Sequence, residues 1–141
     1  MIIYLFRRFR RSDRGVALVE FALVAPILFL LVLGIIEFGY LYNGYITLTG
    51  AAREGARLAV VGRDIDEITA AVVNHTVDLQ LESGPTVDAD ISNPGLEGGE
   101  TIVTVSGELP LRTGFFPFIS NTGNNTFAIT VDATMRQEIG N

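Results

Sequence analysis

Residues 16–36, VALVEFALVAPILFLLVLGII, are apolar apart from one carboxylate, Glu20. Nothing else in the chain restricts its fold as much. At a rise of 1.5 Å per residue the run makes about 31 Å of helix, the thickness of bilayer hydrocarbon. The apolar region of a secretory signal is shorter, roughly 7–15 residues, and a small-x-small cleavage site follows it. The run therefore reads as a retained transmembrane helix. An ionised Glu20 inside it costs about 2.5–3.5 kcal/mol on insertion scales. The acid needs a partner, a proton, or an escape to the headgroups about one helical turn away.

Charge is distributed unevenly around this run. Arg7, Arg8, Arg10, Arg11 and Arg14 precede it against Asp13 alone, a net +4, and from residue 16 onward 15 acids face five arginines, a net −10. A basic head before an apolar span predicts a single-pass protein of the cytoplasmic membrane, N-terminus in and C-terminus out. The acidic tail argues against nucleic-acid binding. Tyr40, Tyr42 and Tyr45 suit the interface where the helix leaves the lipid bilayer. Pro26 within the run is either an ordinary membrane-helix proline or a place where the helix bends or melts during assembly. Glu37, next to the run, reads first as an exposed acid at the helix exit, and otherwise as a contact with another subunit.

Helical spacing continues past the span through Leu41, Tyr45, Leu48, Ala52, Gly55 or Ala56, and Ala59. Gly62 supplies an end signal. The expected helix runs from about residue 14 to 61, about 70 Å. Its small residues, among them Gly50, Ala52, Gly55 and Ala56, let another backbone come close. That neighbour is either the chain's own sheet or another subunit's helix.

The tail, residues 63–141, predicts an α+β module. Asp64 and Glu67 resemble a capping box opening a helix from 64 to about 81, with Ile65, Ile68, Val72 and Leu79 on one face. Alternation then marks strands. Val87, Ala89 and Ile91 form one apolar row, Val103, Val105 and Leu109 a second, and Phe127, Ile129, Val131, Ala133 and Met135 a third. One-sided strands imply an antiparallel sheet covered on one face, here by the extramembrane half of the long helix. Between the last two strands, Phe115, Phe116 and Phe118 either fold under the sheet edge or form an exposed adhesive or docking patch.

Catalytic material is scarce. The chain has one histidine, no cysteine and neither an HExxH nor a GxSxG pattern. The sequence predicts no enzyme, no cofactor and no metal.

Three motifs in order, G-x-x-x-x-E-F-A-L-x-x-P from Gly15, I-I-E-F-G from Ile35 and A-A-R-E-G-A-R from Ala51, resemble the TadE-like family, pseudopilins or minor pilins of the tight-adherence, Flp-type type IV pilus system. The resemblance covers about a third of the chain. It implies a pilin-like fold and four regions: a basic leader, 1–15, that is cleaved; the transmembrane helix, 16–36; its extramembrane continuation, 37–62; and the extracytoplasmic domain, 63–141. Prepilin peptidase would cut between Gly15 and Val16, leaving Glu20 and Phe21 as the fifth and sixth residues of the product. In such proteins the fifth-position acid pairs with a neighbour's new α-amino group and sets axial register. Opposite charges attract strongly in low dielectric, whereas either alone is penalised. The partners so implied are the peptidase, other pilin or pseudopilin subunits, the inner-membrane assembly machinery and the lipid bilayer, and the role is pilus assembly and surface attachment. The competing expectation is an uncleaved single-pass anchor that presents an acidic binding or scaffold domain.

Overall fold

A computed structural model of the 141-residue chain describes residues 13–92, 100–113 and 125–136. Phe115, Phe116 and Phe118 lie outside the described residues. The elements run α1 (Asp13–Val60), α2 (Ile65–His75), β1 (Thr86–Ser92), β2 (Glu100–Pro110) and β3 (Thr126–Arg136). The chain divides into two compact units, Met1–Ile36 and Glu37–Asn141.

The first unit holds the apolar part of α1. This helix is long and apolar enough to cross a membrane. Side chains from Val16 to Ile36 are mostly exposed, as a lipid-facing surface would be.

The second unit is α+β. Its sheet is an antiparallel meander ordered β1-β2-β3. In β2, Thr101, Val103, Val105, Gly107 and Leu109 are buried, and in β3 Ile129, Val131 and Ala133 are. The period of two read from the sequence is the period observed. Phe127 departs from its row, being 45% exposed at the start of β3.

From Glu37 onward α1 covers this sheet with a regular stripe: Gly44, Leu48, Ala51, Ala52, Gly55, Ala56 and Ala59 are buried. Two close approaches fix its direction. A Cβ on Gly44 would meet Leu109 Cδ1 at 2.8 Å, and one on Gly55 would meet Val103 Cγ1 at 3.2 Å and Val72 Cγ2 at 3.3 Å. As α1 advances from 44 to 55, its neighbours on β2 fall back from 109 to 103. The helix and the central strand are therefore antiparallel. The small residues accommodate the chain's own sheet and α2, including Ile68 and Val72. The expected face included Tyr45, but this side chain is about half exposed. Gly44 lies inward instead, because Leu109 occupies the space a larger residue would need.

Gly62 ends α1 as a Schellman cap: its φ is 76°, its N–H donates to Ala59 O at 3.0 Å, and Arg63 N–H donates to Leu58 O at 3.1 Å. Asp64 caps α2 by accepting from Ile65 N–H at 2.8 Å, while Glu67 pairs with Arg63 at 3.4 Å. This helix stops at His75, short of the expected 81. The Thr76 hydroxyl donates back to Val72 O at 2.9 Å, and Leu79 N–H closes a turn onto Thr76 O. Such side-chain bonding competes with further helix. Leu79 still reaches the core, through the turn.

The tight Gly55 contact predicts that Gly55→Leu destabilises the second unit. Overpacking costs about 1–3 kcal/mol, against at most about 1 kcal/mol gained in helix propensity. A lower melting temperature of the detergent-solubilised chain, measured by circular dichroism, is the expected outcome.

Candidate functional site

The antiparallel register of α1 on β2 has an end point. Continued one helical turn and more below Gly44, it brings Glu37 to the residues that follow β2. Glu37 is fully buried. Its Oε1 accepts from Arg112 N–H and its Oε2 from Thr113 N–H, each at 2.9 Å. Two successive backbone donors thus grip one carboxylate, a form of anion binding open to any pair of converging N–H groups. Burial pushes the carboxyl up. Hydrogen bonds from the Thr113 side chain and from both backbone groups, together with the Arg112 charge, outweigh it and hold the carboxyl below the ordinary glutamate range.

The expected exposed acid at the helix exit is therefore corrected: Glu37 lies inside its own domain. Its phase carries the reason. Glu37, Leu41, Gly44, Leu48 and Gly55 follow one helical face, so an acid at 37 points where the core is. The sequence offered that signal, but its partners, Arg112 and Thr113, lie about 75 residues away and carry no motif.

Arg112 extends the cluster. Its guanidinium sits 4.5 Å above the Tyr40 ring, and its Nη2 donates to Gln80 Oε1 at 2.8 Å. The Tyr40 hydroxyl is buried and has no hydrogen-bond partner among the described residues. Tyr40 thus belongs to the domain, whereas Tyr42 and Tyr45 remain exposed. Just beyond Pro110, Leu111 N–H donates to Asn125 O at 2.8 Å, and Asn125 Nδ2 donates to Leu111 O at 3.1 Å. These bonds prolong the β2–β3 ladder to the level of Glu37.

The other expected site residues fall in two groups. Glu20, Phe21 and Pro26 are exposed on the first unit. Gly50, Ala52, Gly55 and Ala56 lie in the second, where Ala52, Gly55 and Ala56 are buried and a Cβ on Gly50 would meet His75 Nε2 at 2.9 Å. Gly15 and Val16 lie near the start of α1. Among the described residues, no group of three His, Asp or Glu side chains is placed to hold a metal ion.

Residues 15–57 match the family model of TadE-like proteins. The matched stretch lies wholly within α1 and includes both Glu20 and Glu37, but neither Arg112 nor Thr113. No curated protein and no solved structure matches the chain. A TadE-like segment and a long apolar N-terminal helix fit a membrane-anchored protein associated with the Tad pilus.

Removing the Glu37 carboxylate should strand two part-buried backbone donors. Glu37→Ala is expected to destabilise the domain by about 1–3 kcal/mol, seen as a lower midpoint in thermal unfolding. The folded carboxyl titrates below the unfolded one. Its contribution is thus complete above the ordinary glutamate range and fades as pH falls through the folded value. Glu37→Gln should lose stability at neutral pH and flatten the acid limb of the stability profile, measured between about pH 7 and pH 3.

Proposed function

We propose that this chain is a minor pilin or pseudopilin of a tight-adherence pilus. On this reading it enters the inner membrane through residues 16–36, N-terminus in and C-terminus out. Prepilin peptidase removes residues 1–15. The mature subunit then joins other pilin or pseudopilin subunits at the assembly machinery, and the pilus serves surface attachment. Its work is structural rather than enzymatic.

One observation carries the reading. The TadE-like match begins at Gly15, where a basic head gives way to an apolar helix bearing Glu20 as the fifth residue after the glycine. Physical chemistry supports the role given to the acid. Glu20 is exposed on a helix whose neighbours are Val19, Phe21 and other apolar side chains. A lone charge there is disfavoured in lipid. A neighbouring subunit's new α-amino group would supply its counter-charge, so the acid would be costly in a free subunit and compensated in an assembly.

Intact mass and N-terminal sequencing, on protein from membranes and from sheared surface material, test the processing step. The expected mature chain starts at Val16, and Gly15→Leu or loss of the peptidase preserves the full-length form. A mature chain starting at Met1 in the presence of the peptidase would leave an uncleaved anchor with an acidic outer domain. Glu20→Ala should leave membrane insertion intact and abolish recovery of the protein in sheared pili.

A further inference from the structure

An apolar groove of about 550 Å³ lies in the second unit, between the first turns of α1 there and the start of β3. Phe38, Leu41, Tyr42 and Tyr45 form one wall, and Phe127 to Thr130 the other. Phe38 is 68% exposed, Tyr42 55%, Tyr45 49% and Phe127 45%. The Phe38 and Tyr42 rings stack with centroids 6.1 Å apart and planes 11° from parallel. Monomeric soluble domains seldom expose aromatics so densely.

We propose that this groove is a membrane-seating surface: Phe38, Tyr42 and Phe127 enter the lipid headgroup layer, and the globular unit rests on the bilayer through the beginning of β3. The inference depends on residues 16–36 spanning the membrane, and it adds a contact made by a strand some 90 residues farther along the chain.

Three observations select lipid as the occupant. Position along the chain is the first. Phe38 stands two residues after Ile36, the last residue of the span. Glu37 to Tyr42 covers about 7.5 Å of helix, close to the roughly 5–8 Å interfacial layer on each side of the hydrocarbon. Residue type is the second, since tyrosines concentrate at that depth. Charge is the third. The chain after residue 15 is strongly acidic, yet residues 38–53 contain no acid, nor do residues 126–131. The one acid at the start of this helix segment, Glu37, is turned inward and held by backbone N–H groups. The nearest sheet acid, Glu108, pairs across from Ala128 and is exposed. The residues that line the groove thus carry no charge, on an otherwise acidic domain, and Glu108 stands exposed at its rim.

The chain has no tryptophan and no cysteine, so single probes can be placed. Full-length Phe127→Trp, Leu28→Trp and Ile102→Trp variants would be reconstituted into phosphatidylcholine–phosphatidylglycerol vesicles. Bromine would be carried at a shallow or a deep acyl position, with acrylamide as the aqueous quencher. Leu28→Trp reports on the span and should be quenched by deep bromine. Phe127→Trp should be quenched best by shallow bromine, with acrylamide quenching several-fold weaker than for Ile102→Trp on the outer sheet face. If Leu28→Trp is quenched by deep bromine while Phe127→Trp responds to neither lipid, the span stands and the seating surface is overturned. Protection of Phe127→Trp from bromine and acrylamide alike would also overturn it, in favour of a protein neighbour. Failure of Leu28→Trp to respond to deep bromine would remove the span and the proposal with it. A nitroxide on Ala128→Cys, which leaves Phe127 in place, gives a second reading. More frequent collision with oxygen than with a water-soluble nickel chelate is expected, and the reverse overturns the proposal.

Discussion

The second unit depends on one packing relation, the antiparallel approach of α1 to β2. It is possible because the helix presents glycine and alanine where the strand presents valine and leucine. Gly44 receives Leu109, and Gly55 receives Val103. Close approach of this kind gives many dispersion contacts and leaves no room for a shifted register. Once the register is set, everything farther along it is set too. α2 closes over Gly55 through Ile68 and Val72, and the residues beyond β2 arrive at Glu37.

The Glu37 cluster is a product of that register as much as a support for it. A carboxylate within a core is tolerated only when its oxygens are satisfied. Here two successive N–H groups meet both oxygens. The arrangement also turns the acid inward, away from the exposed aromatic side chains Phe38 and Tyr42.

Much of this was legible in the residues. The long apolar helix, the limits of α1 within a residue or so, the Gly62 stop and the three alternating strands follow from periods of 3.6 and two and from capping chemistry. The TadE-like segment could be read from three short motifs, all on one helix. What escaped was of two kinds. The end of α2 at His75 depends on the Thr76 hydroxyl choosing a carbonyl of its own helix, a local competition that apolar spacing does not encode. The Glu37 contact joins residues with no motif between them. Its helical phase was visible, but the adjacency of an exposed-looking acid to Ile36 outweighed it. Tyr40 was grouped with Tyr42 and Tyr45 by aromatic type, whereas the Arg112 stack draws it into the domain. Tyr45 was placed on the inner face by spacing alone, whereas Gly44 lies inward there and Tyr45 is turned out.

The place of Glu37 at the first residue of the second unit has a mechanical consequence. A tension applied along the chain from the anchor enters the globular unit there. Pulled along its own axis with the sheet held, α1 would load the whole Gly44–Ala59 stripe in shear, with many contacts strained together. The paired hydrogen bonds to Arg112 and Thr113 are the first to feel it, and they pull on the strand end opposite. Unfastening the helix from the sheet thus means moving the interdigitated side chains at once, not peeling them one by one. For a domain held by the helix that enters it, that is the stiffer of the two ways to be attached.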